Sequence, residues 1–183
     1  WWSTNQKMPD RYSLDFMKEL AKRYKGRPYV ALDLHNEPHN ISWDVWRNGG
    51  IVDGWRAVGM QQMLDAVRGQ GFKGLVVVSG AQWANDMRGI AEEPLARDKD
   101  VIYGAHVYPY WCGDKEWPRE KPYYCRGERY NPTYDQLVAP LIGKRAVMIT
   151  EFSTPRPEDG EMRAPIIWAE RRNVGWIAWD WCY

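Results

Sequence analysis

The chain has 183 residues, 44% of them hydrophobic and 27% charged, which suits one domain burying roughly 70% of its unfolded surface and excludes a disordered segment. With 25 Lys and Arg against 24 Asp and Glu the formal charge is +1, and the charges are interspersed, which argues against a nucleic-acid partner. No stretch approaches the roughly 20 apolar residues of a membrane span, and no basic-plus-apolar leader opens the chain.

Ser13 is placed to cap a first helix that carries Phe16, Met17, Leu20, Ala21 and Tyr24 on one face, with Gly26 ending it and Pro28 leading into a strand. That strand, Tyr29 to Leu34, is apolar almost throughout, as expected when both faces of a parallel strand are covered. It closes on Leu34-His35-Asn36-Glu37-Pro38. Trp55, Val58, Met63, Ala66 and Val67 predict a second amphipathic helix stopped by Gly69 and Gly71, and Leu75 to Val78 a second strand. Residues 84–99 read as irregular with one helical turn at most, ahead of a third strand, Val101 to Ala105, and a long loop from Cys112 to Cys125. Thr133 and Gln136 form a capping-box pattern before Tyr134, Leu137, Val138 and Leu141. A fourth strand, Ala146 to Ile149, closes on Thr150-Glu151-Phe152, a helix covers Met162 to Arg172, and a fifth strand spans Gly175 to Trp179.

Strands and helices alternating in this order imply a parallel sheet with right-handed crossovers. Each strand ends in a polar or aromatic cluster: Asn36-Glu37, Ser79 to Trp83, His106-Val107-Tyr108, Thr150-Glu151 and Trp179-Asp180-Trp181. Functional groups at the carboxyl ends of successive strands are the arrangement of (β/α)₈ barrels. An open doubly wound sheet would carry a glycine-rich phosphate loop after its first strand, and none is present. Two clusters contain a carboxylate. A buried charge is costly unless paired, so Glu37 and Glu151, each closing an apolar run, read as a reacting pair, and glycosidic bond hydrolysis is the chemistry that needs two facing carboxylates.

The aromatic balance agrees with that reading without compelling it. Twelve Trp and 11 Tyr stand against 3 Phe, as on surfaces that stack sugars, although large rings also serve core packing. Of the three cysteines, Cys112 and Cys125 flank a loop of about a dozen residues whose closure by a disulfide would add about 3 kcal/mol. Three reduced thiols are the alternative. Cys182 is then free or paired elsewhere. His35 and His39 flank Glu37 at a spacing that suits metal binding on a helix, but Pro38 and the preceding strand argue against helical geometry there. Asn40-Ile41-Ser42 is formally a glycosylation acceptor, a pattern too common to use.

The strand-end clusters resemble glycoside hydrolase family 5, the family of many endo-β-1,4-glucanases. Val30 to His39 matches its signature around the acid/base residue; His106-Val107-Tyr108, Thr150-Glu151-Phe152, Trp179, Trp1-Trp2-Ser3 and Arg23 to Pro28 extend the likeness over nearly the whole chain. The resemblance implies Glu37 as general acid/base and Glu151 as nucleophile. It further implies Asn36 as the partner of the sugar 2-hydroxyl, Tyr108 as the phenol beside the nucleophile and His106 as the imidazole that orients both. Trp179 becomes the ring under the sugar at the cleavage point, and Trp83 a candidate for another subsite. Trp43, Trp46, Trp111, Trp117 and Trp181 lie in or near loops that could line a cleft. A β-glucan substrate, secretion, no cofactor and no metal are expected.

A full barrel of this class has eight strands and about 250 residues. The motifs here align with strands four to eight, so a partial barrel forming a single domain over residues 1–183 is expected. The family's arginine after the second strand and its histidine after the third have no counterpart in the chain. An opening on Trp1 rather than Met suggests a processed or fragmentary product. The strands Tyr29 to Leu34 and Gly175 to Trp179 would become open edges, from which a homo-oligomer covering them is expected. A catalytically impaired glucan-binding chain is the alternative to an active hydrolase; mannan, xyloglucan and mixed-linkage glucan are alternative substrates.

Overall fold

The computed structural model describes residues 6–108, 134–153 and 163–179. The expectations on Trp1, Trp2, Trp111, Cys112, Trp117, Cys125, Thr133, Asp180, Trp181 and Cys182, the disulfide among them, lie outside the described residues.

Helix α1 spans Arg11–Tyr24. Asp10, and not Ser13, caps it: the Asp10 carboxylate accepts the Ser13 backbone N–H at 2.7 Å and its hydroxyl at 2.9 Å. A cap residue must keep extended backbone outside the helix, as Asp10 does at φ −107° and ψ −174°, whereas Ser13 already lies in the first turn. Burial opposes the charge on Asp10, but the bonds from Ser13 and Tyr12 outweigh it and hold the carboxyl below its ordinary range. Met17 and Ala21 are buried, while Phe16, expected on the same face, is 39% exposed.

The expected strand Tyr29 to Leu34 shrinks to β1, Leu32–Asp33. Leu32 is buried but Ala31 and Asp33 are exposed, and Tyr29 is 78% exposed. The reason is coverage: the sheet packs its core mainly on one face, so Leu32 and Leu34 are buried while Ala31 and Asp33 are left outside. After it come α2 (Trp43–Asn48), capped by Ser42, and a hairpin of β2 (Gly49–Val52) and β3 (Trp55–Val58) that replaces the first half of the expected second helix. Asp53 and Gly54 at its tip both have positive φ, 48° and 84°, the type I′ turn that an Asp-Gly pair favours. Helix α3 (Met60–Gly69) starts only after Gly59, whose N–H is taken by Gln62 Oε1 at 3.0 Å.

The second sheet strand is β4 (Val76–Ser79), and the segment after it is largely irregular, as expected: α4 (Ala81–Ala84) is a turn with left-handed Gln82, Trp83 and Ala84, and α5 (Arg88–Glu92) is one short helix. β5 spans Val101–His106. Where a helix was expected after Thr133, Tyr134–Val138 make one wide π turn that tightens into a 3₁₀ turn at Ala139–Leu141, because Pro140 has no N–H with which to continue an α ladder. β6 (Val147–Glu151), α6 (Arg163–Glu170) and β7 (Gly175–Trp176) complete the order.

One sheet holds five parallel strands in the order β1-β4-β5-β6-β7. Its two faces differ. Leu32, Val76, Val78, Val101, Tyr103, Ala105 and Ile149 are buried in a core shared with Met17 and Ala21 of α1 and Met60, Met63, Leu64 and Val67 of α3. On the other face Asp33 is exposed and Val77, Ile102 and Met148 are half-buried. Burial at about 25 cal/mol per Å² makes the first face the main stabilising contact.

Beneath the sheet, at the amino ends of its strands, Arg68 ties α3 to two of them. Its Nη1 donates to the carbonyls of Phe72 and Gly74 at 3.1 and 2.7 Å, and its Nη2 to those of Lys99 and Asp100 at 3.1 Å each. Only a planar fork spans four acceptors in this way. Arg68→Lys is expected to lower unfolding stability by about 2 kcal/mol, the scale of charge-assisted bonds lost, as measured by urea denaturation.

His35, just past β1, is held neutral. Burial is the main cause and pushes its pKa from 6.5 down to about 4; a hydrogen bond to the Gln6 backbone opposes this, His39 adds to it and Asp10 opposes it weakly. Because the folded imidazole resists a proton that the unfolded one accepts, stability should fall as pH drops from 6.5 to about 4. The limit is on the order of 3 kcal/mol. Denaturant titrations across this window should show the slope in the native sequence and not in His35→Asn.

Candidate active site

The carboxyl ends of β1, β5 and β6 bring together the residues that the sequence marked. His106, the last residue of β5 and 2% exposed, presents Nδ1 to both carboxylates, 2.9 Å from Glu37 Oε1 and 3.5 Å from Glu151 Oε2. Tyr108, two residues further on, donates its hydroxyl to Glu151 Oε1. One donor atom from each of Glu37, His106 and Glu151 lies within 4.8 Å of the other two.

Glu151 faces this group because of a break in the ladder. Gly104 pairs with Met148 and Ala105 with Ile149, but His106 then pairs with Glu151 and Thr150 is passed over. Alternation alone would put Glu151 on the side of Ile149, facing the buried core; the bulge turns it onto the side of His106. Thr150 occupies the space above Gly104, where a Cβ would lie 2.8 Å from its Oγ1. Glycine is therefore required at 104.

Glu37 is positioned by backbone. Its φ is 48°, a left-handed conformation that costs a non-glycine residue on the order of 1 kcal/mol. Three bonds hold the segment: His39 Nδ1 donates to the Glu37 carbonyl at 2.8 Å, the His39 N–H to the Lys7 carbonyl at 3.2 Å, and the Trp83 N–H to the Pro38 carbonyl at 2.9 Å. Residues 34–40 form no helix. The helical metal spacing of His35 and His39 is therefore not realised.

The aromatic candidates divide. Trp83 is half-buried in a run of three left-handed residues, Gln82, Trp83 and Ala84, at φ 53°, 61° and 57°. Its ring stacks on His39 with centroids 3.5 Å apart and planes 10° from parallel. Trp179 is 56% exposed, and its N–H donates to the Phe152 carbonyl at 2.9 Å, next to the end of β6. Asn36 is exposed beside Glu37. Trp46, considered for a cleft wall, is fully buried in α2, and its Nε1 donates to the Ser79 carbonyl at 3.1 Å. Trp43 packs edge-on against Trp46 at 5.2 Å and over Gly89, where a Cβ would come within 2.1 Å of its ring. Both serve packing.

The arrangement is two carboxylates on one open face, with an imidazole between them and a phenol on one. Sequence reasoning missed His39 as the link between Glu37 and Trp83. No local signal marks that contact, since it joins loops after two different strands.

The family described as cellulase, glycosyl hydrolase family 5, matches residues 2–183. An endoglucanase of Paenibacillus polymyxa is 30% identical over 141 residues, which is 66% of this chain and 34% of that protein. An endoglucanase of Halalkalibacter akibai is 25% identical over 183 residues, covering 91% of this chain and 22% of its own length. Among solved structures, the native β-glucanase of Saccharophagus degradans superposes with a TM-score of 0.69 at 21% identity, covering 93% of this chain and 51% of its own. The catalytic domain of a Thermobifida fusca endoglucanase does so with 0.66 at 17%, covering 93% and 50%. The chain thus spans about half of each solved relative, as five strands of a (β/α)₈ barrel would. With a family match over almost its full length and a partial barrel carrying the matched motifs at its strand ends, the chain belongs to glycosyl hydrolase family 5.

Proposed function

We propose that the chain carries the site of a retaining hydrolase of β-1,4-glucan, with Glu151 as nucleophile and Glu37 as acid/base. The observation that carries the reading is the approach of the two carboxylates, whose nearest atoms fall within 4.8 Å around His106. Inverting enzymes need about 6.5–9.5 Å between carboxyl groups to admit a water, whereas direct attack needs about 5–5.5 Å. In the first step a Glu151 oxygen bonds to the anomeric carbon as the C1–O bond breaks, and Glu37 gives its proton to the departing oxygen. In the second, Glu37 takes a proton from water, whose oxygen attacks C1 and frees Glu151.

The Tyr108 hydroxyl on Glu151 fixes the direction of attack, and the His106 imidazole keeps the two acids in register. Asn36 at the 2-hydroxyl and Trp179 beneath the ring complete the roles. Cellotetraose bound to the Saccharophagus degradans β-glucanase and to a Thermobifida fusca endoglucanase variant supports a cellulose-like substrate. A polymer of that kind cannot enter a cell, which supports a secreted protein.

Among the described residues no arginine hydrogen-bonds Glu151, and this favours one second reading, a glucan-binding chain with little turnover. The two separate cleanly. Glu151→Gln should abolish reducing-sugar release from carboxymethylcellulose while leaving the circular dichroism spectrum unchanged, and early products of the native sequence should be β-anomers by proton NMR. Cellotetraose binding by calorimetry with no product at all would favour the second reading.

The sheet face of exposed Asp33 and half-buried Val77, Ile102 and Met148, with β1 and β7 each paired on one side among the described residues, supports a homo-oligomer of the 183-residue chain. Sedimentation at micromolar concentration should show species above monomer; a monodisperse monomer would overturn it.

A further inference from the structure

We propose that His39 is a positioning residue that couples the acid/base carboxylate to the wall of the site that receives the leaving part of the substrate. It rests on the hydrolase reading above and assigns His39 a role that reading leaves empty.

Three contacts converge on this residue. Its Nδ1 donates to the Glu37 carbonyl at 2.8 Å, fixing the peptide that sets the direction of the Glu37 side chain. Its ring lies against the Trp83 indole, 3.5 Å between centroids and 10° from coplanar. Its own N–H is tied to the Lys7 carbonyl at 3.2 Å, so the imidazole is anchored from behind. His39 is 4% exposed, too covered to touch a polymer itself, whereas Trp83 is half-buried and keeps surface free.

The backbone around Trp83 shows why a support is needed. Gln82, Trp83 and Ala84 all hold left-handed φ, and each such residue is held only if its surroundings over-determine it. The Trp83 N–H bond to Pro38, the Asn85 Nδ2 bond to the Trp83 carbonyl at 3.0 Å and the His39 stack supply that determination. Two of the three come from the loop that carries Glu37. The acid and the indole therefore move as one piece.

The consequence is chemical. Glu37 protonates the oxygen of the departing sugar, and Trp83 is bound to the loop that carries Glu37, so the proposal assigns its indole to the leaving-group side. An indole offers an apolar face on which a sugar stacks. His39 then sets two things at once, the aim of the proton donor through its nitrogen and the height of the stacking wall through its ring. Either can be removed without the other, since Phe keeps a flat ring and lacks the donor, while Asn keeps a donor near the Nδ1 position and lacks the ring.

The test compares cellotetraose, whose leaving group is a sugar that needs the proton and the stacking wall, with 2,4-dinitrophenyl β-cellobioside, whose leaving group needs neither. In His39→Ala, kcat/KM on cellotetraose should fall about tenfold to a hundredfold, the scale of small misplacements, with less than about a threefold fall on the aryl glycoside. His39→Phe should keep KM for cellotetraose and lose kcat; His39→Asn should keep most of kcat and raise KM. Equal losses on both substrates in all three variants, with matching loss of thermal stability, would mean a merely structural histidine and overturn the proposal. A native sequence that neither binds nor cleaves either compound would overturn the hydrolase reading, and this inference with it.

Discussion

One irregularity in the β5–β6 ladder governs the chemistry of the site. Were the pairing regular to its end, Glu151 would follow Ile149 into the buried face and leave a charge among apolar side chains, a placement that costs several kcal/mol. Skipping Thr150 moves the carboxylate to the face where His106 waits. The bulge needs space, and Gly104 provides it, since Thr150 takes the volume a side chain there would fill. A missing Cβ on one strand and an extra residue on the next thus decide where a negative charge goes.

The rest of the molecule can be ordered around that point. At the amino ends of the strands Arg68 binds four carbonyls and fixes the spacing of α3, β4 and β5. At the carboxyl ends the loops carry left-handed residues, an imidazole shared between acids, and half-exposed rings. Left-handed residues also occur at the amino ends, at Asp100 before β5 and Asn173 before β7, but the carboxylates and the imidazole gather at the carboxyl ends. This is the polarity expected when parallel strands present reactive groups at their carboxyl ends.

The parallel sheet, its five strands and the pairing of Glu37 with Glu151 were legible because apolar runs of strand length ended in the same kinds of polar cluster. What was lost had physical causes. Tyr29 to Leu34 read as doubly covered because its composition is that of a strand buried on both faces, yet only Leu32 and Leu34 alternate into the core and Ala31 and Asp33 face outward. Trp55 and Val58 fit a helical period by coincidence, and the Asp53-Gly54 pair that marks a hairpin was passed over, though it was the stronger signal. Ser13 was preferred as a cap over Asp10, three residues earlier, although both residue types serve. Trp46 looked available only because no helix had been drawn at Ser42, itself a good cap. The His39 stack depends on two loops meeting across β1 and β4, and no window of sequence contains both.

The left-handed run at Gln82, Trp83 and Ala84 has an evolutionary implication. Glycine at any of the three would relieve backbone strain, but a looser hinge under the indole would let the ring swing, and under the proposed function the departing sugar would lose its seat. Selection for robustness and selection for turnover would therefore pull this short segment in opposite directions. A family member that had abandoned its activity should be recognisable by glycines appearing here first.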